Sequence, residues 1–141
     1  MASRSKQLDH LASVPLFSAC SQKELQKIAR ASNEITIEAG RVLTDQGDAG
    51  REAFVIIEGQ ATVKRNQRKI ASLGPGEAIG ELSLLDHGPR TATVEAATPM
   101  TLLVLSTREF TGVVDQVPGL AHKLMAALAS RIRDLDSKVY G

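Results

Sequence analysis

Residues 76–94 read GEAIGELSLLDHGPRTATV, and the rest of the chain is organised around this stretch. It places one carboxylate, Glu81, at the start of a short apolar turn, and one guanidinium, Arg90, between a Gly-Pro break and an alternating strand pattern. Gly80 allows the backbone to approach a ligand closely, and the amides that follow it open a turn whose N-terminal end attracts an anion. Because Glu81 would repel that anion, we expect a nearby hydroxyl as its partner. The stretch therefore predicts a site for a small ligand with one phosphate and one free hydroxyl.

The block Gly80-Glu81-Leu82-Ser83, followed by Pro89-Arg90-Thr91-Ala92-Thr93-Val94, resembles the phosphate-binding cassette of cyclic nucleotide-binding domains. That family includes the bacterial catabolite activator, the regulatory subunits of cAMP-dependent kinase and cyclic-nucleotide-gated channels. The resemblance extends over roughly residues 12–138. It implies that Glu81 binds the ribose 2′-hydroxyl and that Arg90 pairs with the cyclic phosphate. The backbone amides of Leu82, Ser83 and Thr91 would complete the phosphate cradle, with Gly80 and Ala92 in the same site.

Each cassette residue also has a simpler explanation when it is taken alone. Glu81 could stabilise a helix N-terminus, Arg90 could be a solvated charge of little energetic value, and Thr91 and Thr93 could be ordinary strand residues. Glycine, glutamate, proline and arginine in one ordered block favour the binding site instead.

The resemblance also implies an apolar slot for the base and a lid over it. Strand positions that match the family's pocket fall on Val63, Ile70, Ala71, Ile79 and Val94, although these residues could equally be core. The last helix would be the lid, with Leu135 capping the purine by apolar contact and Asp136 accepting from an amino group. A solvated helix face explains Asp136 equally well.

The choice of base stays open at this point. A threonine at the position of Thr91 occurs both in cGMP-binding relatives and in relatives that respond to cAMP. The bacterial-looking context favours cAMP as the ligand.

Length and composition describe one domain with a normal core: 141 residues, 43% of them hydrophobic, and a net charge of +1. The mixed charge gives no basic footprint for nucleic acid. Cys20 is the single cysteine, which excludes an internal disulfide and a multi-cysteine metal site and favours a reducing cytoplasm. Neither a signal peptide nor a membrane anchor is expected.

The hydrophobic period divides the chain into three segments of one domain. Residues 1–31 have helical spacing, with a capping box predicted from Ser21 and Glu24. Residues 32–106 contain short alternating runs between glycine turns, which predict a β jelly roll that holds the cassette 76–94. Residues 107–141 return to helical spacing, with a second capping box predicted from Ser106 and Glu109. The expected fold is mainly β: an eight-stranded jelly-roll barrel with N-terminal helices, a short phosphate-binding helix and C-terminal lid helices.

The last helix carries one apolar stripe, with Pro118 expected in its first turn. The stripe consists of Leu120, Leu124, Leu128, Ile132, Leu135 and Val139. Such a stripe must pack on the barrel, on the ligand, on a second subunit or on several of these. A homodimer through this helix is one outcome of that requirement.

No catalytic apparatus is predicted. His10, His87 and His122 lie far apart without metal-ligand spacing, and Ser83 with His87 lacks a third residue and an oxyanion hole. Neither a metal nor a cofactor is expected. We expect a regulatory module that binds a cyclic nucleotide, moves its last helix and signals to an unidentified effector protein. The alternatives are a degenerate module without ligand, and a domain cut from a larger transcription factor, channel or enzyme.

Overall fold

A computed structural model describes residues 2–86 and 88–140, the last two of them by their backbone alone. These residues form four α-helices, eight β-strands and two 3₁₀ turns. The helices are α1 (Arg4–Ser13), α2 (Gln22–Ala31), α3 (Thr107–Gln116) and α4 (Leu120–Tyr140). The strands are β1 (Asn33–Ile37), β2 (Val42–Thr44), β3 (Glu52–Glu58), β4 (Ala61–Arg65), β5 (Arg68–Leu73), β6 (Ala78–Ile79), β7 (Thr93–Ala96) and β8 (Met100–Ser106). The 3₁₀ turns are Pro15–Phe17 and Glu81–Leu84.

The strands form two antiparallel sheets, in the orders β1-β8-β3-β6 and β2-β7-β4-β5. Strand β3 is buried on both faces, which explains its unbroken apolar run. Phe54 and Ile56 face the second sheet, whereas Val55 and Ile57 face the helices. The predicted eight-stranded jelly roll with flanking helices is confirmed.

The helices pack against the outer face of the first sheet and form a second core there. Phe17 of the first 3₁₀ turn contacts Phe110 of α3, with ring centroids 5.9 Å apart. Both hydrogen bonds of the predicted capping box at Ser21 are present. At Ser106 the hydroxyl accepts from the amide of Glu109, but the carboxylate of Glu109 accepts from that hydroxyl and not from a backbone amide.

Helix α4 begins two residues later than Pro118 suggested. Pro118 lies in the turn after α3, and Gly119 follows it with φ +83°, a conformation that ends the turn and that glycine adopts without strain. The apolar stripe then divides into two halves. Leu120 and Leu124 are buried in the helical core, whereas Ile132 and Leu135 are about two-thirds exposed. The side chain of Val139 and the whole of His87 lie outside the described residues.

Candidate ligand-binding site

A cavity of about 540 Å³ opens between the cassette and the sheet β2-β7-β4-β5. All seven residues predicted for the phosphate and ribose line it: Gly80, Glu81, Leu82, Ser83, Arg90, Thr91 and Ala92. The structure thus gathers all seven residues around one space. The cavity has the size of a small-molecule site.

Two arginines line this cavity, Arg65 and Arg90, and Arg90 is the less exposed of them. Its Nη2 donates to the carbonyl of Glu52 at 2.7 Å, and its Nη1 donates to the hydroxyl of Ser83 at 3.2 Å. Burial lowers the pKa of Arg90, against a smaller opposing effect of the Glu52 carboxylate. Both hydrogen-bond acceptors are neutral, and a guanidinium has five N–H donors. Arg90 therefore keeps N–H donors for an anion, and among the described residues it forms no ion pair with a carboxylate.

Two glycines make room for this guanidinium. Gly80 has φ +70°, and a Cβ atom there would collide with Nη1 of Arg90. A Cβ atom at Gly50 would overlap the hydroxyl of Ser83 and lie 3.3 Å from Nε of Arg90. The sequence indicated Gly80 but not Gly50, because nothing local shows that the turn at Gly50 lies against the cassette.

The peptide groups after Arg90 have their carbonyls held by neighbouring segments. Gly47 donates its amide to the Arg90 carbonyl at 2.9 Å. Nε of Arg65 donates to the Thr91 carbonyl at 3.1 Å, and the hydroxyl of Thr44 donates to the Ala92 carbonyl at 3.2 Å.

Among the described residues, the amides of Leu82, Thr91 and Ala92 meet no hydrogen-bond acceptor. The Ser83 amide already donates to the carbonyl of Gly80 at 3.0 Å, so Ser83 offers its hydroxyl to the site. The cassette therefore presents several unpaired N–H groups beside Arg90, which is the arrangement that binds an anion.

Glu81 is paired across the fold with the last helix. Its Oε1 accepts from Nη1 of Arg131 on α4 at 3.3 Å. The Glu81 side chain is 17% exposed and that of Arg131 is 38% exposed. The sequence did not predict this ion pair, because the partners lie 50 residues apart and only the placement of α4 brings them together. Helix α4 therefore contacts one residue of the cavity wall, Glu81, through a charged side chain.

The predicted base pocket is brought together only in part. Val63, Ile79 and Val94 line the cavity. Ile70 and Ala71 are exposed on β5, at the edge of its sheet, and do not line it. Leu135 and Asp136 are exposed on α4 and do not line it either. Three lining residues outside the cassette 76–94 were not predicted: Thr44, Arg65 and Leu73. Alternation along β4 and β5 could have indicated Arg65 and Leu73, but not which face is the inner one.

A jelly roll that surrounds one cavity with a guanidinium, unpaired amides and a carboxylate is a binding module for a small anionic ligand. Residues 34–117 match the family model described as the cyclic nucleotide-binding domain. The chain belongs to the cyclic nucleotide-binding domain family, and the resemblance found in the cassette is confirmed.

Individual relatives agree with this assignment. The chain is 32% identical over 127 residues to the cyclic AMP receptor protein of Thermus thermophilus, covering 86% of this chain but only 59% of that relative. It superimposes on the N-terminal domain of a transcriptional regulator from Streptomyces coelicolor A3(2) with a TM-score of 0.85 and 34% identity, covering 92% of this chain and 96% of that one. The regulatory domain of Toxoplasma gondii PKA, crystallised with cAMP, matches with a TM-score of 0.73 and 28% identity, covering 80% of this chain and 46% of that one.

Proposed function

We propose that this protein is a receptor module for a cyclic nucleotide, with cAMP as its ligand. The observation that carries the proposal is that Arg90, Glu81 and the unpaired cassette amides line one cavity of about 540 Å³. Arg90 and the amides would bind the cyclic phosphate, and Glu81 would accept from the ribose 2′-hydroxyl. Val63, Ile79 and Val94 would contact the base.

The choice of cAMP is supported by two relatives, the cyclic AMP receptor protein of Thermus thermophilus and the regulatory domain of Toxoplasma gondii PKA that was crystallised with cAMP. Thr91 lines the cavity, and a threonine at this position also occurs in cGMP-binding relatives, so cGMP is the competing ligand. A regulatory and non-catalytic role, without a cofactor and in the cytoplasm, completes the proposal.

Helix α4 is the proposed output element. The ion pair between Glu81 and Arg131 connects it directly to the proposed ribose site. A ligand that engages Glu81 changes the contacts of α4, and only such a difference in affinity between two states can drive a switch. The changed surface of α4 would be presented to a partner protein. The segments 1–31, 32–106 and 107–141 then act as one regulatory domain.

Calorimetric titration with cAMP and with cGMP tests the receptor function. We expect binding by the wild-type chain, and a loss of about 10²- to 10⁴-fold in Arg90→Met, because two charge-assisted hydrogen bonds are removed. Arg68→Met is the matched control, since Arg68 is exposed and does not line the cavity. Absence of binding to both nucleotides would identify the degenerate module, and unchanged affinity in Arg90→Met would refute the phosphate site.

The ribose site has its own test in the same assay. Glu81→Ala should weaken cAMP by about tenfold to a hundredfold, because a hydrogen bond to a carboxylate is lost. The 2′-deoxy analogue lacks that hydrogen bond, so its affinity should change much less. Equal losses of affinity for both ligands would show that Glu81 does not bind the ribose 2′-hydroxyl.

A homodimer through α4 is the second part of the proposal. Met125, Ile132 and Leu135 are each about 60% exposed, and their spacing of seven and three residues places them on one face of α4. A second copy of the chain would cover this exposed face. Sedimentation should show a dimer that Ile132→Glu converts to monomer, and a monomeric wild-type chain at high concentration would exclude it.

A further inference from the structure

We infer that Arg65 is a positioning residue for the ligand phosphate: its hydrogen bond to the Thr91 carbonyl turns the amide of Ala92 towards the ligand. This inference rests on the proposed function, because it assigns a role within the same site. Arg65 belongs to β4 and not to the cassette, and it lines the cavity beside Thr91.

The trans peptide group between Thr91 and Ala92 links the direction of one carbonyl to the direction of one N–H. The carbonyl and the N–H of one peptide unit point in opposite directions, and the described part of the chain contains no cis peptide bond. Nε of Arg65 holds the Thr91 carbonyl at 3.1 Å. The N–H of the same peptide unit belongs to Ala92, so Arg65 determines which way that N–H points.

The carbonyls on either side of Thr91 also accept hydrogen bonds, whereas the Ala92 amide lacks an acceptor among the described residues. The Arg90 and Ala92 carbonyls are also held from outside the cassette, by the Gly47 amide and the Thr44 hydroxyl. Within the described residues, the Ala92 amide has no acceptor although Ala92 lines the cavity. An amide left without a partner in a lining position is costly unless a ligand or water satisfies it. A phosphate oxygen held by Arg90 is the acceptor that fits this place.

The solvent exposure of the Arg65 charge favours a positioning role over a direct ionic contact with the ligand. Arg65 is exposed, and among the described residues it forms no ion pair with a carboxylate. A cation this open to solvent attracts an anion only weakly. Its hydrogen bond to Thr91 acts on an amide inside the cavity, where a fixed donor is worth more.

Two substitutions separate these roles. Arg65→Gln removes the charge but places an N–H donor where Nε of arginine stood, since both nitrogens follow Cδ. Arg65→Met removes both the charge and the donor. Arg68→Met is the control, because Arg68 is the register partner of Arg65 across the β4–β5 turn and does not line the cavity.

Calorimetry with cAMP gives the first readout. We expect Arg65→Met to lose about tenfold in affinity, the value of one amide-to-phosphate hydrogen bond, and Arg65→Gln to stay within about twofold of the wild type. Arg68→Met should match the wild type. If Arg65→Gln loses as much as Arg65→Met and both flatten the salt dependence of binding, Arg65 contacts the anion directly and the inference is wrong. Wild-type affinity in Arg65→Met also overturns it.

Amide NMR gives a second readout that a merely structural role would not change. On addition of cAMP, the Ala92 amide proton should shift downfield in the wild type and in Arg65→Gln, and much less in Arg65→Met. In the protein without ligand, the Nε proton of Arg65 should exchange slowly with solvent. Slow exchange without any cAMP binding would refute the receptor function while the Arg65 hydrogen bond stands, and fast exchange would refute the hydrogen bond itself.

Discussion

Arg131→Met removes the ion pair that joins α4 to the ligand cavity. The two charges approach to 3.3 Å, and their gross attraction is large at the effective dielectric constant of a protein surface. Most of that attraction is cancelled, because the Arg131 side chain is 38% exposed and must be ordered to reach Glu81. Since Glu81 is only 17% exposed, we place the net value at about 1 kcal/mol, the upper end for such pairs.

This magnitude predicts the opening of α4 in the protein without ligand. A loss of about 1 kcal/mol corresponds to about a fivefold increase in local opening of the helix. Hydrogen exchange of the amides in residues 129–138 measures it directly, and we expect the exchange rates to rise by that factor in Arg131→Met. Arg133→Met is the matched control, because Arg133 lies on the same exposed segment and forms no ion pair within the described residues.

A double-mutant cycle with Glu81→Gln completes this test. If the ion pair carries the effect, Arg131→Met should change exchange much less in the Glu81→Gln background. Raising the ionic strength should also reduce the difference between Arg131→Met and the wild type, because a partly exposed pair is screened. Equal effects of Arg131→Met and Arg133→Met on exchange would refute the reasoning. Additive effects of Arg131→Met and Glu81→Gln would refute it as well.

Two further predictions concern the backbone of the site and the pH dependence of stability. Gly80→Ala should lower the free energy of unfolding in urea by about 1–2 kcal/mol, because φ +70° strains an L-residue. It should also lower the affinity for cAMP, because the new Cβ displaces Arg90. An unchanged free energy of unfolding and an unchanged affinity would contradict both expectations. The pKa of Glu24 is lowered, first by the hydrogen bond from Lys123 and then by that from the Ser21 backbone, so its contribution to stability is present above the ordinary pKa of glutamate and disappears as pH falls through the lowered value. The stability difference between the wild type and Lys123→Met, measured by urea unfolding, should therefore shrink towards low pH, and a constant difference would argue against it.

The cassette was predictable because its parts are close in sequence. Gly80 to Ser83 and Arg90 to Ala92 are joined by one short loop, so the residue types and their order already bring the carboxylate and the guanidinium to one place. The jelly roll was predictable for a similar reason, since alternation and glycine turns are local patterns.

The base pocket was less predictable because strand alternation shows two faces without showing which is inner. Ile70 and Ala71 lie on β5, whose outer edge has no neighbouring strand, and both are exposed. The positions of Leu135 and Asp136 relative to the cavity depend on the direction of α4 after its buried first turns. Packing of Leu120 and Leu124 in the helical core sets that direction. The sequence pattern of α4 does not predict it.

The amino-acid order alone was enough to predict the class of fold, the family and the group of cassette residues that line the cavity, because each depends on neighbours in the chain. The distant groups that contact these residues become visible only in the folded chain: the Glu52 carbonyl on Arg90, Gly50 against Ser83, Arg65 on Thr91 and Arg131 on Glu81. These contacts join segments separated by 26 to 50 residues. The packing of the sheets and helices brings such segments together, and local propensity carries no information about it.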